Sequence, residues 1–186
     1  MGTSLTATRE ALIQLETEGL ITKKPNATTH VTKLTPDEVK QIYAVRCVLE
    51  RYAFEEAARL ADRNSIDKLR ELHQRAVEVA RSNDDIAYIS ADLKWHEAVW
   101  EMTGNSCLAE SLRRVVVPLF GFSAIATQHG FNLKQDAYTH APLLEAIVAR
   151  DPVAAGIAFD RFAEVWRRQS VSESKTAQKS KTKRIK

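Results

Sequence analysis

Thr35–Ala61 reads TPDEVKQIYAVRCVLERYAFEEAARLA, and this stretch decides the fold. Thr35 can cap a helix, Pro36 suits its first position, and Glu38, three residues after the cap, completes a capping box. Apolar residues then recur at helical spacing, which makes Val39, Ile42, Tyr43, Leu49, Tyr52, Ala53, Ala57 and Leu60 the expected buried side. Arg46 shares part of that face with Ile42, Leu49 and Ala53. A partly buried arginine requires a carboxylate, and either Glu50 one turn on or a ligand can supply it.

The same pattern continues downstream. A second helix is expected over about Ser65–Ser82, burying Ile66, Leu69, Leu72, Ala76 and Ala80. A third starts after Asn83-Asp84 and runs to Thr103, where Gly104-Asn105 ends it. A fourth covers Leu108 to about Gln128 and is apolar nearly all round from Val115 to Phe120, with Pro118 expected to break or kink it. A fifth spans about Leu133–Arg150. Asp151-Pro152 opens a sixth that ends near Ser170 and turns Ala155, Ala158, Phe162, Val165 and Trp166 inward. Short connections between such helices imply an antiparallel all-α bundle. Upstream, Thr6–Glu18 forms one helix stopped by Gly19, and two β-prone stretches flank Pro25-Asn26 as a hairpin. A helix followed by a hairpin is the second half of a winged helix-turn-helix.

Composition narrows the function. Of 186 residues 44% are hydrophobic, enough for a core, and six Gly with five Pro favour long helices over a turn-rich β fold. Cys47 and Cys107 carry no metal-ligand spacing, which sets aside zinc clusters and disulfide frameworks. No apolar run is long enough for a bilayer and no signal-peptide core is seen, so a soluble, cytoplasmic protein is expected. The formal charge is +3, yet Ser174–Lys186 holds six of the 27 basic residues and no acid, leaving 21 basic against 24 acidic elsewhere. The body is therefore not a general polyanion binder, and residues 174–186 read as a disordered basic tail. Solvation explains that tail, and weak salt-sensitive nucleic-acid contact is its alternative.

Chemistry concentrates on two helices. Asp92 and His96, four apart, project from one face that also carries Ile89, Leu93, Val99 and Trp100. Burying that pair is costly unless it is hydrogen-bonded or holds a cation, so a divalent half-site and a metal-free Asp–His bond both fit. His140 shares a face with Leu143, Leu144 and Ile147, where a core histidine and a ligand both remain open. His73 and His129 read as surface residues. No nucleophile elbow, P-loop or Gly-rich dinucleotide turn is present, and no Glu-x-x-His pair suits a di-metal bundle, so no enzyme is expected.

Several motifs together resemble the GntR-type transcription regulators of the FadR subfamily. Thr8–Leu12, Leu15–Ile21 and Pro25-Asn26 resemble the recognition helix and wing. Ile42–Glu50, Asp92–His96 with Gly104-Asn105, and His140 with Leu143–Ile147 and Asp151-Pro152 resemble their FCD effector domain, in order and at the right spacing. The resemblance implies a six- or seven-helix bundle at 34–173, preceded by a partial winged helix at 1–33 made of one helix and a hairpin. It implies a cytoplasmic homodimer that senses a small carboxylate, with Arg46 as the clamp and Asp92, His96 and His140 as ligands of zinc or nickel. The family's fourth ligand position holds Phe162 here, which should weaken the metal. It also implies operator DNA contacts at Ser4, Thr6 and Arg9. There the sequence departs further: Leu5 replaces the usual Arg, Ala7 the usual Pro, and the bracing helices are missing, so DNA binding is expected to be impaired. A stand-alone effector-binding and dimerisation module is the alternative.

Overall fold

The structure, a computed structural model, describes residues 4–23, 28–82, 84–126 and 138–165, the side chains of 122–126 excepted. In chain order it contains α1 (Leu5–Thr17), β1 (Ile21–Lys23), β2 (Thr29–Val31), α2 (Pro36–Leu60), α3 (Arg63–Arg81), α4 (Asp85–Met102), α5 (Ser106–Ala126), α6 (Ala141–Val148) and α7 (152–165). The expected all-α bundle is present, with a two-stranded antiparallel hairpin before it that pairs Ile21 with Val31. The expected tip at Pro25-Asn26, His129, Trp166 and the basic tail all lie outside the described residues.

Side-chain caps set the helix starts. Thr35 Oγ1 accepts from the Glu38 backbone at 3.3 Å while Thr35 N donates to Glu38 Oε2 at 2.7 Å, the reciprocal box read from sequence. Asp62 and Ser65 form a second box at α3. Asp84 and Asp151 accept from Ala87 N and Ala154 N, both at 2.9 Å, to start α4 and α7. Between α6 and α7, Arg150 takes the left-handed conformation (φ 55°), and the amides of Arg150 and Asp151 satisfy the carbonyls of Ile147 and Ala146. The chain therefore reverses in two residues and lays α7 back along the bundle.

The core is built from α2 to α7 around Phe54, Trp95, Trp100, Leu112, Leu143, Ile147 and Phe159. Several sequence expectations require correction. The buried side of α2 is Val39, Arg46, Glu50, Ala53, Phe54, Ala57 and Ala58, while Tyr52 and Leu60 are about half exposed. The helix is thus rotated to bury its own ion pair and Phe54, a rotation paid for by contacts from α4. On α7, Phe159 and Ala163 join Ala155 and Phe162 inside, and Val165 is exposed. His140 immediately precedes α6 rather than lying within a helix. His73 is half-buried, with its ring near that of Trp95.

Pro118 does not break α5, which is helical throughout Ser106–Ala126. Proline removes one backbone bond, but Val116, Val117, Leu119 and Phe120 are buried on both sides of it, and their packing holds the helix. Pro118 also meets the N-terminal unit. A Cβ on Gly19 (φ +74°) would lie 2.9 Å from Pro118 Cγ, and one on Gly121 would lie 2.6 Å from Leu20 Cδ2. The turn between α1 and β1 is seated on α5 at these two glycines.

Candidate metal and effector site

Four of the residues singled out in the sequence meet inside the bundle. The i,i+4 spacing on α4 puts Asp92 and His96 side by side, and the turn before α6 brings His140 to them. All three are buried, and one ligand atom from each lies within 4.8 Å of the other two. His140 Nε2 is 3.2 Å from both Asp92 Oδ1 and His96 Nε2. Arg46 reaches in from α2, with Nη2 3.5 Å from His96 Nε2.

Glu50 completes the cluster, where its spacing in the sequence marks it only as a partner for Arg46. It is fully buried and accepts from Arg46 Nε at 2.5 Å and from Trp100 Nε1 at 3.1 Å. Its Oε1 also lies 2.9 Å from His96 Nδ1, at hydrogen-bonding distance although off the ideal N–H direction. Burial pushes the Glu50 carboxyl up, but Arg46 and His96 together outweigh burial and hold it at about 2. The Arg46 guanidinium is held above its ordinary value: burial works against the charge, and Glu50, Tyr43 and Asp92 together more than offset it. Burial pushes His96 down, which keeps that ring neutral at neutral pH despite Glu50. The i,i+4 spacing was the legible signal for Arg46–Glu50. The contact with His96 crosses between helices and has no local signature.

Hydrogen-bond chemistry then assigns the rings. Arginine only donates, so the His96 nitrogen facing Arg46 is the lone-pair nitrogen, Nε2, and the proton sits on Nδ1 toward Glu50. His140 Nε2 therefore carries the proton shared toward Asp92 and His96. Two imidazole nitrogens bound to one ion at about 2.1 Å would be about 3.0–3.4 Å apart for angles between octahedral and tetrahedral. The observed 3.2 Å lies in that range. Charge agrees with geometry. Arg46 and Glu50 cancel, so Asp92 leaves the cluster one negative charge in excess when the imidazoles are neutral. The donor set fits a divalent cation of the borderline class, with three protein ligands.

Phe162 closes the site from α7. Its ring centroid is 5.0 Å from that of His140 and 5.9 Å from that of His96. The same residue lines a groove of about 580 Å³ between α6 and α7, so it separates that groove from the buried imidazoles. Phe120 also packs on the cluster, its ring 5.8 Å from the His96 ring and 5.4 Å from the Arg46 guanidinium carbon.

The candidate DNA-reading residues are not part of this cluster. Ser4 caps α1 by accepting from Ala7 N at 3.1 Å, and Thr6 and Arg9 are exposed on the same helix. None of the residues of α1 is buried.

The fold is thus a helical bundle that encloses a buried cluster of carboxylates, imidazoles and one arginine. The FCD domain family matches residues 41–164. The chain therefore belongs to the FCD family, and its relatives make it a GntR-type transcription regulator with an FCD effector-binding domain. It is 26% identical over 155 residues to the "Probable D-xylose utilization operon transcriptional repressor" of Paenarthrobacter nicotinovorans, covering 83% of this chain and 68% of that protein. It is 28% identical over 163 residues to the Uxu operon regulator of Haemophilus influenzae, covering 78% and 60%. Among solved structures, E. coli McbR/YncC has the same fold with TM-score 0.78 at 18% identity, covering 93% of this chain and 87% of that one. A GntR-family regulator from Pseudomonas syringae gives 0.64 at 20% identity, covering 97% and 75%. These relatives are regulators rather than enzymes. No helix among the described residues is long and apolar enough to cross a membrane.

Proposed function

We propose that this chain is a ligand-responsive regulator whose bundle senses a small organic acid, with Asp92, His96 and His140 holding a zinc or nickel ion and Arg46 orienting the acid. The observation that carries this reading is the convergence of three buried donor atoms beside a buried guanidinium. A bound divalent ion supplies a Lewis-acidic charge that a carboxylate oxygen can ligate. With the ion present, the cluster's excess changes from one negative to one positive charge, which a monoanionic carboxylate balances. Arg46 then offers directional N–H donors to the second oxygen, and Phe120 and Phe162 keep water from the contact. Phe162 occupies space where a fourth protein ligand would stand, so the ion is held less tightly than by a four-ligand set.

In this reading 34–173 is the sensing unit and 1–33 is the DNA-reading unit, with Ser4, Thr6 and Arg9 facing operator DNA. The protein works as a cytoplasmic homodimer and has no catalytic role. The bare apolar face of α1 favours a second reading, an effector-binding and dimerisation module without DNA binding of its own. Calorimetric titration of the metal-free protein with Zn²⁺, then of the loaded protein with acetate, tests the sensing claim. One zinc per chain, lost in His96→Ala, and an acetate response weakened in Arg46→Lys are expected. Zinc binding unchanged in His96→Ala would contradict the assignment. A gel shift against the chain's own promoter separates the two readings, since tight sequence-specific binding supports the first and overturns the second.

A further inference from the structure

We propose that Glu50 is a positioning residue that presets His96 as a ligand, fixing its proton on Nδ1 and presenting the Nε2 lone pair to Asp92 and His140. This deepens the metal reading but stands on contacts present without any ion. One fully buried carboxylate accepts from Arg46 Nε at 2.5 Å and from Trp100 Nε1 at 3.1 Å, and His96 Nδ1 lies 2.9 Å from it. Arg46 and the Trp100 indole can only donate, so the group between them must accept at both oxygens. His96 is the one member of the set able to take either tautomer, and Glu50 removes that choice. A carboxylate behind a metal-bound histidine fixes ring orientation, and loss of such a partner typically weakens metal affinity about 10–100-fold. The same carboxylate anchors Arg46 through Nε, leaving Nη2 aimed at the site.

By the same donor–acceptor logic the two histidines are not equivalent: His96 is ready to ligate, whereas His140 Nε2, 3.2 Å from both Asp92 Oδ1 and His96 Nε2, would hold a proton that must move before that nitrogen can bind an ion. Glu50→Gln retains the shape but turns one acceptor into an amide donor. That amide must meet either Arg46, which moves, or His96, which changes tautomer, and both outcomes spoil the preset site.

The test is nitrogen-15 NMR of the imidazoles in the zinc-free protein. Wild-type His96 should be the Nδ1–H tautomer, and a predominantly Nε2–H ring there overturns the proposal with no variant needed. In Glu50→Gln, shown folded by circular dichroism, zinc should bind at least tenfold more weakly, and Glu50→Asp, which retains the charge, should recover part of the loss. Equal zinc affinity in Glu50→Gln and wild type would overturn it. If wild type binds no zinc, the metal reading fails, and the tautomer still decides the role of Glu50.

Discussion

α1 and α2 are both capped helices with apolar residues at helical spacing, yet only α2 is buried. α2 encloses seven side chains, among them Arg46 and Glu50. α1 encloses none: Leu5 is 91% exposed, Ile13 56% and Leu12 41%. A cap satisfies the ends of a helix but supplies no tertiary contact, and a 13-residue helix alone is marginal in water. Leu5, Leu12, Ile13 and Ile21 line an open groove beside the hairpin. The N-terminal unit thus meets the bundle mainly at the Gly19–Leu20 turn, and its other apolar surface calls for a cover. The bundle buries the side chains of its own helices, whereas α1 leaves all of its side chains at least partly exposed.

The sharpest way to break this contrast is to remove one side chain from each helix. Glu50→Ala leaves the Arg46 guanidinium buried without its carboxylate, which should cost about 3–5 kcal/mol in urea unfolding. Leu12→Ala on α1 should cost less than about 0.5 kcal/mol, as at other sites without packed neighbours. Comparable losses would show that α1 is packed in solution and that the contrast is wrong.

Phe162 offers a smaller test, inside the site. Phe162→His supplies the ligand type absent from α7 and should tighten zinc about tenfold, or about 1.4 kcal/mol, measured by competition with a chelator. Unchanged or weaker binding in a folded variant would mean that this ring does not stand at the fourth position.

The smallest effect concerns His73, which burial against the bundle pushes below its ordinary value. As pH falls, the unfolded chain takes up this proton first, so the stabilisation present above about 6.5 is lost below it. Thermal midpoints of the metal-free protein should therefore drop between about pH 7.5 and 5.5. In His73→Gln that drop should be shallower, and an identical slope would show that the ring is solvated.

Much of this was legible in the sequence because it is local. The capping box at Thr35 and the N-cap at Asp151 are short-range patterns, as is the Asp92–His96 spacing. The resemblance to GntR regulators then joined His140 and Phe162 to that pair, and both do lie against it. What escaped was set by neighbours distant in sequence. The rotation of α2 that exposes Tyr52 and buries Phe54 depends on Trp95 and Phe159, whose rings lie 5.7 and 5.3 Å from that of Phe54. Glu50 could be matched with Arg46 by spacing, but its contacts with His96 and Trp100 exist only once α2 and α4 pack. The continuity of α5 through Pro118 has the same origin, since burial on either side prevents the break that local strain alone would give.

X-ray absorption at the zinc edge of the loaded protein tests the central claim most directly. The account predicts two imidazoles and a carboxylate oxygen, with light oxygen donors completing the shell, and loss of one imidazole signal in His140→Ala. Sulfur donors, or a spectrum that His140→Ala leaves unchanged, would contradict it.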